Sequence, residues 1–117
     1  LTPAVFHILL ALVDRERHGY AIMQEVAANS QGKLQMGPGT LYGSIKRMLE
    51  ANLIEETEDR PDPELDDERR RYYRISDIGR KVLASEVERL SQLVMVAKAK
   101  RVADNAPTRF QSWVLAS

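Results

Sequence analysis

Two short segments, Leu53-Ile54-Glu55-Glu56-Thr57 and Arg71-Tyr72-Tyr73-Arg74-Ile75, are rich in β-branched and aromatic residues, whereas the other apolar clusters of the chain recur at helical spacing. A sheet built from two such segments is a hairpin, and an isolated hairpin is marginally stable at best in water. It must therefore lie against helices. The order along the chain is three helical segments, the hairpin, then one longer helical segment, so the expected fold class is mostly α with a small β-hairpin. Pro61 and Pro63 keep the polar stretch between the strands out of any sheet interior.

Start and stop residues mark the helices. Thr2-Pro3 supplies an N-cap and then a proline at the first helical position, opening the apolar run 4–13. That run carries two stripes, Val5/Ile8/Leu9/Leu12 and Phe6/Leu10/Val13, so either one face packs into the domain and the other needs a second surface, or both lie inside one compact core. Asp14-Arg15-Glu16-Arg17 is a polar connector. His18-Gly19-Tyr20 opens the second helix, with Ile22, Met23, Val26 and Ala27 as its stripe, and residues 29–32 end it. The third helix begins near Gly37-Pro38-Gly39-Thr40 and buries Leu41, Ile45, Met48 and Leu49. Asn52 stops it, because asparagine tolerates the left-handed conformation of a helix exit. Ser76-Asp77 caps a fourth helix expected over 78–103, and Asn105-Ala106-Pro107 breaks it.

The chain has 117 residues and no Cys, which removes disulfides, zinc ribbons and thiol nucleophiles together. No apolar run approaches the roughly 18 to 20 residues that span a bilayer, since His7 interrupts the run 4–13. With no basic region before that run and no small-residue cleavage site after it, the expectation is a cytoplasmic protein with neither signal peptide nor membrane partner. Ser44, Ser76 and Ser85 lack a nucleophile elbow, and Gly37-Pro38-Gly39-Thr40 lacks the Gly-Lys-Thr of a phosphate-binding loop. The seven acids of residues 58–68 lack the alternating ligands and central Gly of an EF-hand, and His7 has no second ligand at a metal-binding spacing. No catalytic residue, metal site or cofactor is expected.

The 17 Lys and Arg are matched by 17 Asp and Glu, so a nucleic-acid partner has to be argued from where charges sit rather than from their sum. On the third helix, Tyr42, Gly43, Lys46, Arg47 and Glu50 fall opposite the apolar stripe. Two cations, a phenol and a residue without a side chain suit a DNA groove: the cations meet phosphates or guanine edges, and the glycine admits close backbone approach. Arg69-Arg70-Arg71 lie where the second strand begins. Helix, turn, helix and hairpin in this order describe a winged helix-turn-helix, whose wing reaches the flanking backbone or minor groove.

His18-Gly19-Tyr20, then Gly39-Thr40-Leu41-Tyr42-Gly43 leading into Ile45-Lys46-Arg47-Met48, then Leu53-Ile54-Glu55, then Arg70-Arg71-Tyr72-Tyr73-Arg74-Ile75 with Gly79, together resemble the PadR family of bacterial transcriptional regulators over residues 2–83. The resemblance implies a winged-helix DNA-binding domain over 1–76 and a dimerisation helix and tail over 77–117. It also implies a homodimer that represses nearby genes until a small-molecule effector or stress signal releases it. Carried over by motif, Tyr42 and Lys46 contact double-stranded DNA from the recognition helix beside Thr40, Gly43 and Arg47. His18 and Tyr20 touch the DNA backbone, and Arg69, Arg70 and Arg71 serve the wing. The chain departs from the family pattern in having Asn52 where Gly is usual, and in a longer, more acidic stretch at residues 58–68.

In the fourth helix Leu83, Val87, Leu90, Val94 and Ala97 recur at intervals of four, three, four and three, the spacing of a coiled-coil seam. Leu93 lies off this seam and widens the apolar surface, and with Val5 and Ile8 of the first helix these residues are expected to form the dimer interface, the alternative being that the helix folds back onto its own domain. A two-fold dimer expects an inverted-repeat operator. Phe110 and Trp113 are candidates to line an effector pocket, with a partner's groove or plain core packing as alternatives. Two other functions fit the same pattern: a winged-helix dimer that binds a protein, and one that acts mainly as a small-molecule sensor.

Overall fold

Thr2 starts the first helix as its sequence implies: its side-chain oxygen accepts a hydrogen bond from the Val5 amide at 3.2 Å, and Pro3 follows as the first residue of α1 (Pro3–Leu12). The structure is a computed structural model that describes residues 1–57 and 71–101. The acidic stretch 58–68, Arg69, Arg70, the break at Asn105-Ala106-Pro107, Phe110 and Trp113 lie outside the described residues. The chain divides into two compact units, the first covering Leu1–Ala84 and the second beginning at Ser85.

The first unit holds α1, a two-residue strand β1 (Arg17–His18), α2 (Gly19–Asn29), α3 (Pro38–Glu50), β2 (Ile54–Thr57), β3 (Tyr72–Ile75) and the first turns of α4 (Asp77–Ala99). Its core joins Ile8, Leu9 and Leu12 of α1 to Ile22 and Val26 of α2 and to Leu41, Ile45 and Met48 of α3. Each of the larger side chains, fully buried, contributes about 1.5–3 kcal/mol of apolar burial. Met36, in the connection between α2 and α3, and Ile54, Tyr73 and Ile75 of the sheet close this core.

The sheet departs from the expected hairpin. Three strands form it in the order β1-β3-β2, antiparallel throughout, with Arg17 opposite Tyr73, His18 opposite Tyr72, and Ile54 opposite Ile75. A two-residue strand has no periodicity of its own, so β1 exists only because β3 offers it an edge. Arg17, read from sequence as part of a polar connector, is 14% exposed; its Nε donates to the Ala11 carbonyl at 2.7 Å and its guanidinium pairs with Glu25 at 3.0 Å. Arg80 likewise donates to the Val13 carbonyl at 3.3 Å. The last turn of α1 contains no basic residue, so these two arginines from elsewhere satisfy its orphan carbonyls and oppose its dipole.

Two of the residues expected at a dimer interface belong instead to this core. Ile8 has no exposed surface and Leu83 is 5% exposed, because the α1 stripe that carries Ile8 faces α2 and α3 and the start of α4 carries Leu83 into the same cluster. Val5 is half-buried beside them. The fourth helix ends at Ala99, short of the expected residue 103, and Arg101 adopts φ 60°.

At the exit of α3, Asn52 takes φ 60° while the Leu53 amide donates to the Met48 carbonyl at 2.9 Å, which is a Schellman closure. Ser76 then joins three elements. Its amide donates to the Leu53 carbonyl at 3.1 Å, its hydroxyl donates to the Asn52 carbonyl at 2.6 Å, and the same oxygen accepts from the Gly79 amide at 2.9 Å as the cap of α4. Gly79 is buried so tightly that a Cβ there would sit 2.9 Å from Ile75 Cγ1 and inside contact distance of the Leu53 carbonyl oxygen. A backbone carbonyl cannot swing aside as a side chain can. Replacing Gly79 by Ala is expected to cost about 1–3 kcal/mol in urea unfolding, and unchanged stability would contradict this close approach.

Candidate nucleic-acid interface

The amino-terminal half of α3 is short of polar caps, since Gly37 makes no side-chain capping bond and Pro38 takes the first position. Its buried side is Leu41, Ser44, Ile45 and Met48, which leaves Thr40, Tyr42, Lys46 and Arg47 exposed and Gly43 half-buried. Lys46 takes part in none of the ion pairs formed among the described residues. Pairing its ammonium with an external anion therefore breaks no ion pair among the described residues.

Arg47 is held differently. Its guanidinium donates to the hydroxyl of the fully buried Ser44 at 3.3 Å, and its side chain borders an apolar groove of about 260 Å³ formed with Leu1, Val5, Met48 and Leu53. Tyr42 and Lys46 thus share one edge of α3, and Arg47 lies along the other, towards the start of α1. Ser44 was not among the residues singled out from sequence for this face; only its position three residues before Arg47 hints at the contact.

Tyr42 leans the opposite way, onto the start of α2. It is 50% exposed, yet its ring occupies the space beside Gly19. Next to Gly19, His18 caps α2 by accepting the Ala21 amide on Nδ1 at 3.2 Å, and its ring meets Tyr72 edge-on, with centroids 5.4 Å apart and planes at 84°. Tyr20, one residue on, is 54% exposed. The structure therefore brings Tyr42 of α3 against Gly19 at the start of α2, next in the chain to His18, which meets the sheet. In the sequence Gly19 is only the middle of the motif His18-Gly19-Tyr20, and its contact with Tyr42 is a tertiary one.

The strand side of this junction is charged. Arg71 is 73% exposed in its side chain and lies 3.4 Å from Glu56 across the sheet; Arg74 pairs with Glu55 at 3.2 Å. Exposed pairs of this kind contribute about 0–1 kcal/mol, so Arg71 can exchange Glu56 for another anion at little cost. Tyr73, 4% exposed, has its phenol pushed above the usual value, first by burial, then by Glu56, with Arg71 opposing and Tyr42 adding to the rise.

The model of the transcriptional regulator PadR-like family matches residues 8–85 of the chain. A PadR family transcription regulator from Clostridium difficile superposes with a TM-score of 0.68 at 22% identity, over 84% of this chain and 97% of its own. Bacillus subtilis PadR, solved in complex with operator DNA, superposes with a TM-score of 0.57 at 18% identity, over 71% of this chain and 45% of its own. Protein X of Lysinibacillus sphaericus, itself uncharacterised, is 28% identical over 86 residues, which are 74% of this chain and 76% of that protein. The winged-helix arrangement of the first unit is the fold these structures share with it.

The raised phenol of Tyr73 has a consequence for stability. Below about pH 10 the tyrosine is neutral in both states and its burial contributes in full. Above that the unfolded chain ionises first while the folded phenol holds its proton, so stability falls as pH rises towards the folded value. Urea unfolding between pH 8 and 11 should show this decline, and Tyr73→Phe should make it shallower; an identical decline in the variant would mean that other groups cause it.

Proposed function

The chain belongs to the PadR-like family of transcriptional regulators, and on that premise we propose that it is a homodimeric, sequence-specific DNA-binding repressor. One observation carries the reading: the exposed edge of α3 presents Tyr42 beside the capped start of α2 together with Lys46, which among the described residues has no carboxylate paired to it. In this reading α3 enters the major groove, Lys46 meets a phosphate, Tyr42 donates its hydroxyl to the backbone, and His18 and Tyr20 approach the strand beside it. Thr40, Gly43 and Arg47 complete the α3 face. Arg71, with Arg69 and Arg70, serves the wing.

Dimerisation through α4 is supported by its apolar surface in the second unit. Val87, Leu90, Leu93 and Val94 are 43, 37, 53 and 52% exposed, and Ala97 stands on the same seam. Such a stripe on a single helix is costly to leave in water and matches a helical partner. Two-fold symmetry then places half-sites of an inverted repeat about 34–36 Å apart. Release by a small molecule or stress signal completes the reading, with Phe110 and Trp113 as the candidate effector contacts; the regulator works in the cytoplasm, without enzymatic activity and without a cofactor.

A mobility shift on the region upstream of the chain's own gene, against a random duplex, tests the central claim; equal affinity for both would favour a protein-binding role. Lys46→Ala should weaken cognate binding and reduce the slope of log K against log salt by about one unit. Leu90→Asp should convert a dimer into a monomer by light scattering, and a monomeric wild type at micromolar concentration would remove the interface. Quenching of Trp113 fluorescence by candidate effectors, together with loss of the shifted band, checks the release step.

A further inference from the structure

Gly19 is buried at the first position of α2, and its backbone gives no reason for glycine: Gly32 is the one glycine with positive φ among the described residues. Any L-residue fits such a conformation, and alanine would even lower the entropy cost of folding. What excludes a side chain is Tyr42. A Cβ on Gly19 would lie 2.8 Å from Tyr42 Cζ and 3.1 Å from Cε1, and would overlap Tyr42 Oη.

The backbone of Gly19 is not free to yield. The preceding residue, His18, is paired with Tyr72 in the sheet, stacked edge-on against its ring, and tied to Ala21 by the cap. Tyr42, by contrast, is half exposed, and the overlapping atoms are the far end of a side chain that has other staggered χ1 states. A side chain at position 19 therefore moves the phenol rather than the helix.

We propose that Gly19 is a positioning residue for DNA binding, its missing side chain being the seat that holds the Tyr42 phenol across the start of α2. The proposal rests on the DNA-binding reading above and adds to it a residue that acts through another. The seat sets the direction of the Tyr42 hydroxyl before DNA arrives, so the contact is made without freezing a loose ring. The seated ring thereby joins α3 to the start of α2.

A double-mutant cycle on the full chain tests this. Gly19→Ala should leave the melting temperature unchanged or raised and weaken cognate DNA binding about fivefold, the size of one lost hydrogen bond. Tyr42→Ala should weaken it at least as much, and adding Gly19→Ala to Tyr42→Ala should cost nothing further. In the free protein, nuclear Overhauser contacts between the Gly19 α protons and the Tyr42 ring should be present in the wild type and absent in Gly19→Ala, a readout that needs no DNA. Missing contacts in the wild type, unchanged affinity in Gly19→Ala, or an additive loss in the double variant would each overturn the proposal while leaving the DNA-binding reading in place. A wild type that shows these contacts yet has no affinity for DNA would overturn both.

Discussion

The carbonyl groups of Asn52 and Leu53 are the point on which the first unit turns. Ser76 donates to both, by hydroxyl and by amide, and Gly79 approaches Leu53 so closely that only a hydrogen fits between them. One short stretch thereby sets the exit of α3, the start of β2, the end of β3 and the start of α4. The remaining geometry follows in sequence. With β3 held there, Tyr72 and Tyr73 are placed to pair with β1; that pairing places His18, His18 caps α2, and the start of α2 becomes the surface on which Tyr42 rests. The exposed face of α3 is thus positioned by backbone contacts far from it, which suits a surface that must keep its shape.

The electrostatics follow the same division. Arg17 and Arg80 serve the carbonyl end of α1, and Arg71 and Arg74 are matched by glutamates across the sheet. Lys46 has no such match among the described residues. The equal totals of 17 basic and 17 acidic residues therefore describe a chain whose charges are spent unequally, with several cations committed to structure and a cation of α3 left uncommitted. A chain without net charge has little long-range attraction for a polyanion, so local presentation of cations decides where an anion is held.

Much of the fold was legible because its signals are local. Thr2-Pro3, Gly37-Pro38 and Ser76-Asp77 set helix starts through capping and a fixed φ, and Asn52 did take the left-handed exit. The stripes of α2 and α3 identified core residues through their period alone. Where the structure differs from the local pattern, a long-range partner is the cause. Strand β1 is two residues that acquire their conformation from β3, more than fifty positions away in the chain. Ile8 and Leu83 look like interface residues because a stripe says which side of a helix is apolar, not which surface covers it.

The sequence by itself determined the order of the four helices and of β2 and β3, the helix boundaries at their capped starts, and the residue types on the exposed face of α3, because each depends on neighbours within one or two turns. The tertiary structure decided which of those residues act together. Tyr42 and Arg47 stand five positions apart on one helix, yet one rests on Gly19 and the other is tied to Ser44 and turned towards α1. The physical reason is that helix periodicity specifies directions about an axis, whereas the partner met in each direction is set by how separate elements pack. A buried glycine with an ordinary backbone carries no local mark of its purpose; the ring lying over it does.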